Sequence, residues 1–138
     1  MRIIYNNVIP FKGFAYLNFF GILFARKHLK GKLRKCDVNH EKIHTEQIKE
    51  TLGIFFYLWY IIEWLIKIPF SWFYKQKYPK EVDNVAYKSI SFEQEAYYNE
   101  YDYDYLSYRE RFEWVKYIFK MYNPNREYPI KTEEVSND

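Results

Sequence analysis

Asn39-His40-Glu41-Lys42-Ile43-His44 is the stretch from which the rest of this chain can be read. On an α-helix, residues four apart lie one above the other on the same face, so His40 and His44 can aim their imidazoles at one point, where a single metal ion would fit. Glu41 falls on a neighbouring part of the helix surface. From there its carboxylate can reach a water activated at the ion without ligating the ion, which is the position of a general base. The same six residues also describe a solvated helix with two surface histidines. A third ligand separates the two readings, because catalytic zinc takes three protein ligands and leaves the fourth position for water.

A chain of 138 residues holds one packed core. A single domain is expected over residues 1–122, with a polar tail over 123–138. The composition is 49% hydrophobic and 23% aromatic, with 16 Tyr and 12 Phe, so aromatic rings carry the packing. Net charge is +3 with both signs dispersed, and the basic cluster at 26–35 has no aromatic platform beside it, so no nucleic-acid partner is expected. Cys36 is the single cysteine, which excludes an intrachain disulfide and fits a reducing compartment. It precedes His40 by four residues and could approach the metal, although a lone cysteine is more often inert packing. The N-terminus lacks the basic-apolar-small order of a secretory signal, and a cytoplasmic location is expected.

In chain order, residues 2–9 read as a strand stopped by Pro10, and 14–17 and 20–27 as two more, with a buried helix as the alternative for the second apolar run. A small sheet there matters because an edge strand can hold an extended peptide by backbone hydrogen bonds. Asp37 or Asn39 is placed to cap the next helix, along which His40, His44, Gln47 and Thr51 share one side, followed by Leu52, Phe55 and Trp59 as it enters the core. Gly53 can interrupt it. Residues 54–66 are apolar nearly all round, as in a fully buried helix or one touching a membrane. A carboxylate at Glu63, able to pair with Lys67, and Pro69 soon after argue against a span, so a soluble core helix is favoured over membrane contact. Residues 69–85 read as a connection carrying Phe70, Trp72, Phe73 and Tyr74. Ser91 with Gln94 three residues on predicts a capping box opening a helix on which Phe92, Ala96, Asn99 and Tyr103 share a face. A last helix is expected over 112–122. The fold class is therefore α+β, mostly α: a small N-terminal sheet followed by three to four helices.

The third ligand must come from further along, since residues 45–50 contain neither the glycine nor the third histidine that some metallopeptidases use. Glu63 is one candidate, but an unbroken helix through Gly53 would leave it about 30 Å from His44 at ~1.5 Å per residue. It serves only if the chain reverses near Gly53. Glu93 and Glu95 sit on a separate helix, where Ala96 has no side chain to hold that helix away from the first. The alternative for these acids is an ordinary dipole-compensating helix start.

Taken together, His40-Glu41-Lys42-Ile43-His44 and Phe92-Glu93-Gln94-Glu95-Ala96 resemble the gluzincin arrangement, in which two helices supply two histidines and one glutamate. The pair is most similar to the small proteins called minigluzincins and to the glutamate-x-x-alanine motif of the membrane-bound CAAX-type and heat-shock-type metallopeptidases. The fuller pattern, Asn39-His40-Glu41-x-Ile43-His44-x-x-Gln47 with Phe92-Glu93-x-Glu95-Ala96, also resembles an uncharacterised Bacteroidetes zincin-like family. The resemblance implies a zincin-like fold with His40, His44 and Glu93 as ligands of Zn2+, Glu41 as base, and a peptide or protein substrate. Tyr97 stands where the membrane peptidases carry an aspartate, so the hydrogen bond to a ligand histidine must come from Glu95, Asn99 or Glu100. His28, Tyr97, Tyr101 and Arg109 are all available to stabilise an oxyanion. The expectation is a zinc-dependent metallopeptidase. Its rival is a non-enzymatic, metal-stabilised protein, or an interaction module whose aromatic surface docks on a membrane or partner.

Overall fold

The computed structural model describes residues 1–10, 12–77 and 84–123, with the backbone alone for 75–77. Three strands, β1 (Arg2–Asn6), β2 (Tyr16–Phe19) and β3 (Ile22–Arg26), form one sheet in the order β1-β3-β2. β1 runs parallel to β3 and β2 antiparallel to it. The first strand ends earlier than Pro10 because the Asn6 side chain accepts hydrogen bonds from the backbone N–H groups of Val8 and Ile9 and turns the chain. The two expected strands in the second apolar run are present and shifted, joined by the two-residue turn Phe20-Gly21 between paired Phe19 and Ile22. Both turn residues have positive φ, the conformation that matches the twist of a tight hairpin. A Cβ on Gly21 would lie 3.2 Å from the Thr45 methyl, so glycine lets the hairpin sit against the following helix.

α1 spans Lys35–Glu50. Neither expected cap holds: the N-cap is Arg34, whose backbone N–H donates to the carboxylate of Asp37 in the first turn, and Asn39 lies inside the helix. Its buried stripe repeats every three to four residues and mixes Cys36, Ile43 and Ile48 with Asn39, His40, His44 and Gln47. Leu52 and Gly53, both left-handed, then reverse the chain, and the Gly53 N–H closes on the Ile48 carbonyl at 2.9 Å.

α2 (Ile54–Lys77) continues through Pro69, so the connection expected from Pro69 onward is helical as far as residue 77. The rest of that connection, 78–83, lies outside the described residues. α2 also differs from the buried core helix expected: Phe56, Glu63 and Lys67 are buried, whereas Phe55, like the preceding Leu52, is exposed instead of entering the core.

Two short helices, α3 (Val85–Lys88) and α5 (Tyr105–Tyr108), flank α4 (Ser91–Asn99). The helix expected at the C-terminal end is a single 3-10 stretch, Glu113–Tyr117. The expected tail lies, apart from Asn123, outside the described residues. Residues 91–96 of α4 are all buried. Its capping box does not form. The N-cap is Ile90, the Ser91 hydroxyl donates to Glu63, and the Gln94 amide donates to the carbonyls of Ser89 and Lys120. Apolar packing closes around α4 on two sides. Ile48, Phe56, Ile90 and Phe92 form one cluster, with Phe56 and Phe92 stacked at 4.5 Å; Ile43, Ala96 and Tyr105 form the other. Ala96 thus allows α4 to reach α1, as its size implied.

Candidate metal centre

His40 and His44 project from successive turns of α1 toward α4, and Glu93 meets them from its first turn. The two Nε2 atoms are 3.0 Å apart, His40 Nε2 lies 3.2 Å from Glu93 Oε2, and His44 Nε2 lies 3.3 Å from Glu93 Oε1. All three residues are buried. Ligands at zinc bond lengths in a tetrahedron stand about 3.3 Å from one another, so the three side chains are already spaced as an ion would hold them.

The outer partners decide what the imidazoles can do. Glu100 accepts from His40 Nδ1 at 2.8 Å. Gln47 donates its amide hydrogens to the Phe92 carbonyl and to Glu95, which leaves its oxygen to accept from His44 Nδ1 at 2.7 Å. Both Nδ1 atoms therefore carry the hydrogen, and both Nε2 lone pairs point into the gap beside Glu93. Two facing acceptors and a carboxylate require a cation, either a proton or a metal ion. The donor set, two imidazole nitrogens and one carboxylate oxygen with each ring held by an acceptor behind it, fits zinc.

The charges respond accordingly. Burial alone would lower the His40 imidazole, but hydrogen bonds to Glu100 and Glu93 outweigh it and push its pKa up to about 10. His44 is raised as well, burial being overcome by the charge and hydrogen bond of Glu93. Glu93 is pushed up by burial yet held well below the usual carboxylate range by His44 and His40. Glu41 is raised, because burial outweighs the attraction of the two histidines. It opens with His40 and Glu100 onto a cleft of about 610 Å³, walled on one side by residues 13–16 leading into the edge strand β2 and on another by Trp64 and Tyr87. Asn18 of β2 fixes that wall, its amide donating to the Glu41 carbonyl at 2.8 Å and to the Thr45 hydroxyl.

The remaining candidates separate clearly. Glu63 is not near the histidines. The chain does reverse at Gly53, but this carries its carboxylate to the first backbone N–H of α4 and to Lys67. Glu95 faces away from the histidines, binding Gln47, Tyr105 and Arg109, so it acts behind His44 rather than as a ligand. The Asn99 amide donates to the Glu95 carbonyl. The partner of His40 is thus Glu100, presented by a loop that Asn39 anchors to α1 through the carbonyls of Asn99, Glu100 and Asp102. Of the oxyanion candidates, Tyr97 lies against the His40 ring at 4.7 Å and lines the cleft. Arg109 is buried between Glu50 and Glu95, and His28 lines a different hollow beside Arg26. Cys36 is buried in α1, outside the triad. Sequence reasoning missed Tyr60, whose hydroxyl donates to Glu93 Oε1 at 2.7 Å. It also missed the work of Gln47, for which the shared helix side with His44 was the available signal.

Comparisons of the chain with protein-family models, with curated proteins and with solved structures return no match.

Proposed function

We propose that this protein is a zinc-dependent peptidase in which His40, His44 and Glu93 hold the ion and Glu41 acts as general base. One observation carries the reading: two imidazoles, each with its Nδ1–H already committed, converge their lone pairs on one buried carboxylate beside a glutamate that opens onto a cleft. Zinc, when bound, supplies a Lewis acid for a substrate carbonyl and makes water a nucleophile near neutral pH. Glu41 accepts the proton of the attacking water and returns it to the leaving amine, a task suited to a carboxylate of raised proton affinity. Tyr97, whose phenol is kept neutral by burial and by the negative Glu93 and Glu100 and whose ring lines the cleft against His40, is the proposed donor to a developing oxyanion. Residues 13–16, which lead into the edge strand β2, run along the cleft, and the substrate class proposed is an extended peptide lying beside them.

The test is a pair of variants assayed with an unstructured protein as substrate. Glu41→Gln should keep stoichiometric zinc and lose about 10²–10⁴ in kcat, the usual range for a general base. Glu93→Gln should lose the metal. A wild type loaded with zinc that cleaves no member of a peptide library would favour a metal-stabilised, non-catalytic domain instead.

A further inference from the structure

α2 presents an apolar surface that the described residues leave uncovered. From Ile54–Tyr74 its mean hydropathy is 1.3 and only 17% of the stretch is buried. Twelve large hydrophobic side chains between Ile54 and Phe73 are exposed, with Ile54 at 73% and Phe73 at 65%. Leu58, Ile61, Ile62, Leu65, Ile68 and Trp72 recur every three to four residues along one outward arc. Together the twelve exposed side chains present on the order of 1,000 Å², beyond the roughly 300–600 Å² of the largest patch on an ordinary monomer.

The charged groups and the serine hydroxyl of this stretch are turned away or satisfied. Glu63 and Lys67, the two charged residues of this stretch, are buried on the opposite face, where they pair at 2.7 Å. The Ser71 hydroxyl donates to the Ile68 carbonyl within the helix itself, which is how a hydroxyl is accommodated where water is absent.

We infer that the outward arc of α2 is a membrane-docking face, with the helix lying in the plane of one leaflet and its apolar side chains below the headgroups. A protein partner is the poorer occupant. Protein interfaces carry about one hydrogen bond per 100–200 Å², and apart from an indole N–H this arc is made of aliphatic side chains that can neither donate nor accept. The exposed side chains also wrap well beyond the single stripe that a facing helix would cover, a convex shape suited to a fluid medium. Lys75, Lys77 and Lys80 follow in the sequence ahead of Glu81 and Asp83, so the first charges after the apolar stretch are basic, as anionic headgroups favour. An upright span is the wrong geometry, because Glu63 and Lys67 at the middle of the stretch bind Ser91 and the Lys120 carbonyl, which would draw α4 and the polar chain around residue 120 into hydrocarbon. Trp64 belongs both to this helix and to the cleft wall, so the cleft opens beside the docking face.

Flotation of the full chain on a density gradient tests this, using vesicles of phosphatidylcholine alone and of phosphatidylcholine mixed with phosphatidylserine. The wild type should float with the mixed vesicles. Leu58→Glu combined with Leu65→Glu should reduce partitioning on the order of a hundredfold. Its circular dichroism and unfolding temperature should stay unchanged, since both side chains are exposed. Brominated phosphatidylcholine in the mixed vesicles should quench the wild-type tryptophan fluorescence, a readout independent of any variant. The inference is overturned by a wild type that stays at the bottom with both vesicle types, by a double variant that floats like the wild type, or by absence of quenching. A non-floating dimer that the double variant converts to monomer would also overturn it, assigning the face to a second copy. None of these readouts involves hydrolysis, so they stand apart from the fate of the peptidase reading.

Discussion

At the scale of single residues, the site is governed by what stands behind each imidazole. Glu100 fixes the His40 ring and raises its basicity, so Glu100→Gln should weaken zinc binding by about 10–100-fold while leaving the fold intact, as measured by competition with a chelator. An unchanged affinity would remove Glu100 from the account. The raised pKa of His40 also makes a statement about stability. A histidine whose folded pKa exceeds its unfolded value of roughly 6.5 contributes stability that is full below that value and is lost as pH rises toward the folded value. For His40 the loss runs up to about 10. Glu93 has the opposite sign, its depressed pKa contributing stability that is lost in acid. The metal-free chain should therefore lose thermal stability steadily from roughly pH 7 to 10, whereas zinc affinity should rise over the same range as the ion displaces the proton. Thermal scans with and without chelator check both signs, and a metal-free chain that gains stability on going alkaline would contradict them.

At the scale of elements, the polarity of two helices is the reverse of what their compositions suggest. α4 is rich in acids and amides yet buried, because Ser91, Glu93, Gln94 and Glu95 each find partners on neighbouring elements. α2 is strongly apolar yet largely exposed. Glu63 ties them together by accepting from the Ser91 N–H and hydroxyl while pairing with Lys67, whose ammonium also donates to the Ser89 and Lys120 carbonyls. Glu63→Gln removes the charge that balances a buried lysine and should cost about 3 kcal/mol in denaturant unfolding. Zinc content should stay at the wild-type level. If this variant instead emptied the site, the ligand assignment would be wrong.

At the scale of the whole molecule, a buried polar network links distant parts of the chain to the proposed metal site. Arg109 joins Glu50 at the end of α1 to Glu95 in α4, and Glu95 holds the Gln47 amide that orients His44. Arg109→Met would leave two buried carboxylates without their cation, an expected loss of about 3–5 kcal/mol in unfolding free energy. A variant as stable as wild type would show that the network carries little. The sequence by itself determined the small sheet before the helices, the histidine pair on one helix face, and an acidic helix whose small Ala96 permits close approach. These are matters of local period and of residue size, which a chain displays along its own length. It left open which carboxylate meets the histidines, what orients His44, and which helix lies inside. Only the tertiary structure decided these. Glu63, Glu93, Glu95 and Glu100 are chemically alike in sequence, and their roles diverge once the reversal at Gly53 and the burial of α4 fix which partner each can reach.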